Sequence, residues 1–73
     1  MNKNKKRLYE LMTICDEFNL DMTNINEYFN RCDVLFYDST YDYYNMPTKF
    51  DKFIKDNKCE CVKICQNEVR IYL

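Results

Sequence analysis

The sequence predicts a small α+β domain, and three observations carry that reading. Two apolar stripes at helical spacing precede residue 33, a third helical pattern follows the only proline, and the last fifteen residues place aliphatic side chains alternately about a turn. With 73 residues there is room for one domain, residues 1–73, with no linker, repeat or low-complexity block. A chain this short buries only about 60% of the surface its unfolded form exposes, so its core has to be dense. The apolar fraction of 47% suits a globular chain, and 32% charged residues at net −1 are too balanced for a disordered acidic or basic tail.

The first element is an amphipathic helix from Lys3 to Phe18. Leu8, Leu11, Met12, Cys15 and Phe18 recur every three or four residues and form its core stripe. Asn19 is its expected left-handed cap, since the chain has no glycine and Asn or Asp must take every position with φ > 0. Asn45, Asn57 and Asn67 are the other candidates for that role. The basic cluster Lys3, Lys5, Lys6 and Arg7 sits at the helix end where positive charge is least welcome, and reads as a solvated tail before it reads as a nucleic-acid arm.

A second helix is expected from Thr23 through Cys32. Asp21 or Thr23 supplies its cap, and Ile25, Tyr28, Phe29 and Cys32 its buried face. Asp33-Val34-Leu35-Phe36-Tyr37 then reads as a short buried strand, although Leu35 and Phe36 also continue the helical face by one turn. Pro47 opens the third helix, where its missing N–H costs nothing, with Phe50, Phe53, Ile54 and Asn57 inward. Lys49, Lys52, Lys55 and Lys58 wind round this helix among Asp51 and Asp56, a solvated pattern more than a phosphate track.

The C-terminal segment, Cys59 to Leu73, is expected to form an antiparallel hairpin about Gln66-Asn67. That turn sets Ile64 opposite Val69 and Val62 opposite Ile71, with all four on one face, and leaves Cys61, Lys63, Cys65, Arg70 and Tyr72 on the other. Lys63 then faces Arg70, a like-charge pair that disfavours this register unless an acidic partner lies nearby, which Glu60, Glu68 or the Asp-rich central stretch could supply. The helices followed by a hairpin resemble the winged-helix class of DNA-binding domains in element order. The pattern departs from that class in the roughly fourteen residues between the second and third helices, where a helix-turn-helix has three or four.

Histidine is absent, so Ser-His-Asp, Cys-His and histidine-based zinc arrangements are excluded, and without glycine there is no phosphate-cradling loop. Ser39, the only serine, has no evident partner, and Asp38 with Asp42 lacks the neighbouring cations a phosphoryl-transfer site needs. No catalytic residue, cofactor or metal is expected. The five cysteines read as free thiols acting as small hydrophobes in a reducing compartment. A zinc site from Cys59, Cys61 and Cys65 with Cys15 or Cys32 is the alternative. It lacks a two-residue spacing and would have to bridge about 20 Å of strand. No apolar block of signal-peptide or membrane-spanning length occurs, so the expected location is the cytoplasm, away from membranes.

The stretch from Phe36 to Met46 carries four tyrosines and two aspartates without a lysine or arginine. Residues 19–46 hold one basic against five acidic side chains. Residues 1–18 hold four against three, and residues 47–73 six against four. An acidic middle repels phosphates unless the basic ends converge on the opposite side, so nucleic acid is the less favoured partner. Tyr37, Asp38, Tyr41, Asp42, Tyr43 and Tyr44 instead suit contact with a larger, basic protein: the rings supply rigid amphipathic area and the carboxylates meet Lys or Arg. The competing reading takes the tyrosines as core, with Tyr41 and Tyr44 buried. Heavy use of Asn, Lys, Tyr, Phe and Ile resembles the composition of small phage and mobile-element proteins of low-GC bacteria, and covers no motif. The expected function is therefore a non-enzymatic protein-binding module, of the anti-defence type that blocks a host nucleic-acid enzyme. A winged-helix-like DNA-binding regulator and a cysteine-zinc adaptor are the alternatives, and homo-oligomers are compatible with each.

Overall fold

Leu8, Leu11 and Cys15 are buried along one side of the first helix, α1 (Lys3–Glu17), with Ile14 and Phe18 packed half-buried beside them. Met12 lies outside this stripe, 39% exposed. The computed structural model describes residues 3–73; Met1, Asn2 and the side chain of Lys3, one of the predicted basic cluster, lie outside that description. Asn19 ends α1 as predicted, at φ 58°. The Leu20 N–H donates to the Cys15 carbonyl at 2.8 Å and the Asn19 N–H to that of Asp16 at 3.3 Å, a Schellman motif whose flanking residues Leu20 and Cys15 are both buried.

The predicted second helix is not formed. Residues 21–35 make a hairpin, β1 (Asp21–Asn26) and β2 (Arg31–Leu35), so only the strand expected at 33–37 survives, starting two residues earlier. Spacing at 25, 28, 29 and 32 matches a helix, but a second pattern at Met22, Cys32, Val34 and Phe36 has a period of two and buries more. Asparagines at positive φ, Asn24 at 48° and Asn30 at 53°, let the backbone kink in β1 and turn into β2. Tyr28 and Phe29, expected in the core, ride on the turn, 87% and 58% exposed.

Pro47 caps α2 (Thr48–Asp56), whose Phe50, Phe53 and Ile54 are buried as predicted. Asn57 is only half-buried and donates to the Phe53 carbonyl at 2.9 Å. Asp51–Lys55 and Lys52–Asp56 pairs at 3.0 and 3.2 Å lie along the exposed side, and Lys49 reaches Glu17 of α1 at 2.9 Å. α2 ends by the same Schellman device, with Cys59 N–H on the Ile54 carbonyl and Lys58 on that of Lys55. Here the left-handed seat is taken by Lys58, φ 53°, and not by Asn57, whose φ is −95°. Asn45 and Asn67 also lack positive φ.

β3 (Glu60–Cys65) and β4 (Glu68–Tyr72) form the predicted hairpin about Gln66-Asn67. Its register is corrected by one residue. A bulge at Ile64 pairs Lys63 with Val69, Val62 with Arg70 and Cys61 with Ile71, which turns Val62 and Ile64 outward, 39% and 44% exposed. The slip separates Lys63 from Arg70, and Arg70 instead pairs with Asp33. All four strands form one antiparallel sheet in the order β1-β2-β4-β3. Cys32, Val34, Val69 and Ile71, fully buried, meet Leu11, Phe50, Phe53 and Ile54 of the two helices in a single core, and the other sheet face looks to solvent. Both outer strands are bulged, β1 between Thr23 and Asn26 and β3 between Lys63 and Cys65. The element order is thus helix, hairpin, helix, hairpin, and the winged-helix likeness does not extend to it.

Candidate protein-binding surface

The loop between β2 and α2 is held at the end of the sheet by main-chain bonds to the β3–β4 turn. Phe36 N–H donates to the Asn67 carbonyl and Tyr43 N–H to that of Gln66, each at 2.8 Å. Within the loop the aspartates serve as backbone caps. Asp38 accepts the Thr40 N–H at 2.9 Å; Asp42 accepts the N–H groups of Tyr44 and Asn45, each at 2.9 Å, and the Gln66 amide at 3.0 Å. Asn45 returns a side-chain bond to the Thr40 carbonyl at 3.1 Å. The Gln66 hydrogen bond above all, helped by the two backbone amides and the charge of Lys63, holds the Asp42 carboxyl below the usual carboxylate range against the opposing effect of desolvation.

This scaffold sorts the four tyrosines. Tyr41 and Tyr43 are half-buried against the core, Tyr41 edge-on to Phe18 at 6.0 Å, whereas Tyr37 and Tyr44 are 62% and 69% exposed. The core reading of Tyr41 and Tyr44 therefore holds in part for the first, which packs half-buried on the core, and fails for the second, which stands outside Tyr43. The Tyr44 ring stands perpendicular to that of Tyr43 at 5.2 Å. Lys63 lies against both, 5.7 Å from the Tyr43 centroid, 4.7 Å from that of Tyr44, and 2.6 Å from the Tyr44 hydroxyl. The bond to Tyr44 raises the Lys63 pKa.

The six predicted residues do not form one cluster. Asp42, Tyr43 and Tyr44 gather with Lys63 and Gln66 beside β3. Tyr37 turns to the β1 edge, where the neighbouring Asp21 carboxylate raises the pKa of its hydroxyl. Asp21 and Gln66 belong to the surface and were not expected there, whereas Lys63 meets the Asp-rich stretch that was one of the partners open to it. The one advance sign was the like-charge opposition of Lys63 and Arg70, which required Lys63 to find another neighbour.

Compared with protein-family models, curated proteins and solved structures, the chain matches none of them.

The cysteines offer no competing site. All five are free, and Cys15, Cys32, Cys59 and Cys61 are wholly or partly buried. Burial pushes the Cys15 and Cys32 thiols up to about 12 and Cys61 to about 11, and raises Cys59 as well. Among the described residues no three Cys, Asp or Glu side chains converge as metal ligands, and no helix is long and apolar enough to cross a membrane.

Proposed function

We propose that this chain is a small, non-enzymatic protein-binding module that docks through its 37–46 end onto a larger, basic protein. One observation carries the reading: Tyr37 and Tyr44 stand largely in solvent on a loop whose backbone is already fixed by Asp38 and Asp42. A loop ordered before binding loses little entropy on docking, and tyrosine supplies contact area with few rotatable bonds. Lys63 on the Tyr43–Tyr44 pair already has the geometry a partner lysine or arginine would adopt on the outer ring face. The mode of action is blockade: the loop occupies a basic groove sterically and electrostatically, as an inhibitor of a nucleic-acid enzyme of the anti-defence type would.

The test is affinity capture from a bacterial lysate with the wild-type chain and with Tyr37→Ala/Tyr44→Ala. A basic protein retained by the first, released by salt and lost with the second, supports the reading. Identical capture by both chains overturns it.

A further inference from the structure

The sheet has a second aromatic end, opposite the first, and there the charge is reversed. The β1–β2 turn carries Tyr28 and Phe29, and a cavity of about 120 Å³ beside it is walled by Lys5 of α1 and Arg31 of β2, with Glu27 as the one acidic side chain of its lining. Leu73 lines the same cavity and donates its N–H to the Asn30 carbonyl at 2.7 Å, which ties the end of β4 to the turn. Cys59 leads into β3 at this end, near enough to Arg7 for its charge to act on the thiol, and Glu60 follows as the first residue of the strand. An acidic middle was reason to disfavour nucleic acid unless basic groups met on the far side; the fold brings Lys5 and Arg31 together there, while Lys49, Lys52, Lys55 and Arg70 pair with carboxylates elsewhere and Lys63 stays at the first end. β2 alone puts about 17 Å between the two ends, twice the screening length of about 8 Å in physiological salt.

We infer that this end binds single-stranded nucleic acid, bases stacking on Tyr28 and Phe29 and phosphates meeting Lys5, Arg7 and Arg31. The rings are suitably placed. They stand at 87° to one another with centroids 4.9 Å apart, and the Arg31 guanidinium covers one face of Phe29 at 5.2 Å, so its remaining donors lie beside the stacking platform. The turn is built before any ligand arrives: Phe29 N–H is held by the Asn26 side chain at 3.0 Å and Asn30 N–H by the Glu27 carbonyl at 3.3 Å. A lipid surface fits less well, because Glu27 would be pressed among anionic headgroups with the rings. An acidic peptide leaves the exposed Tyr28 face without a flat partner. The inference needs neither the 37–46 loop nor the protein partner proposed for it.

The experiment is fluorescence anisotropy of a labelled twelve-nucleotide oligo(dT) with the purified chain from 50 to 200 mM salt. Three neutralised phosphates give a slope of log K on log salt near −2, about 0.7 for each. Tyr28→Ala weakens binding about tenfold while Tyr28→Trp restores it, Arg31→Gln flattens the slope by about 0.7, and Lys52→Gln on α2 changes neither. Circular dichroism confirms that each variant is folded. No binding at 50 mM salt, equal binding of duplex DNA, indifference to Tyr28→Ala, or binding only to phosphatidylserine vesicles or to polyglutamate each overturns the assignment.

Discussion

Replacing Asp33 by asparagine probes the polar centre of the open sheet face. The Asp33 side chain is 2% exposed although it lies on the solvent side, because Arg70 covers it, itself 35% exposed. Its carboxylate accepts Arg70 Nε at 2.8 Å, a second guanidinium nitrogen at 3.1 Å and the Asn24 amide at 2.9 Å. Asparagine offers one acceptor oxygen and turns an amide donor toward either Arg70 or Asn24, so at least one charge-assisted bond is lost, in a class worth about 1.5–3 kcal/mol. Breaking a fully buried ion pair costs about 3–5 kcal/mol, but water can reach Arg70, which places the cost at about 2 kcal/mol. For a domain of this size that lowers Tm by roughly 8–16 °C. The pH dependence has a definite sign. The Arg70 hydrogen bonds, aided by Asn24 and opposed by burial, hold the Asp33 carboxyl below its ordinary value of 3.8. Its contribution is therefore complete above that value and is lost as pH falls through the folded-state value. Thermal melts by circular dichroism at pH 7 and at pH 3 and below should show the wild type falling toward Asp33→Asn as the acid protonates Asp33. A gap below about 4 °C at neutral pH, typical of an exposed pair, or a gap that persists undiminished in acid, would refute the account.

Lys58 occupies a left-handed seat that costs a side-chain-bearing residue free energy, so Lys58→Gly should stabilise by about 0.5 kcal/mol and raise Tm by roughly 2–4 °C in the same melts. Leu11, with no exposed surface, should cost about 3 kcal/mol on truncation to alanine, a large part of the roughly 4–11 kcal/mol available to a chain of this length, as read from urea midpoints. In thiol labelling at pH 8, Cys65 should react first. Cys15 and Cys32 carry about a thousandfold less thiolate than at the ordinary pKa of 9.0 and should be labelled only after unfolding, as peptide mass spectrometry would show. Zinc should leave Tm unchanged, since the thiols do not converge; a rise that saturates at one equivalent would contradict this.

The two helices were legible because each has a stripe and a stop that do not depend on the rest of the chain. Leu8, Leu11 and Cys15 with Asn19 define α1, and Pro47 with Phe50, Phe53 and Ile54 defines α2. Residues 23–32 were misread because their helical spacing is real and the competing alternation becomes apparent only once β4 pairs with β2. Three asparagines in seven residues, at 24, 26 and 30, were the available local sign of a turn in a chain that has no glycine to mark one. The hairpin register failed at a single inserted residue, Ile64, and one extra residue exchanges the faces of everything before it. At the 37–46 surface the residue types were visible, but their division between the β1 and β3 edges depended on contacts with Asp21 and Lys63 that are distant in sequence.

The kinks at Asn24 and Ile64 also decide how this chain behaves in a crowded solution. A flat outer strand is a rail along which a neighbour can lay its own backbone, the first step of fibril growth, and each rail here is interrupted partway. What the molecule can offer another is consequently its side chains, concentrated at the two tips, and a contact made that way can be released.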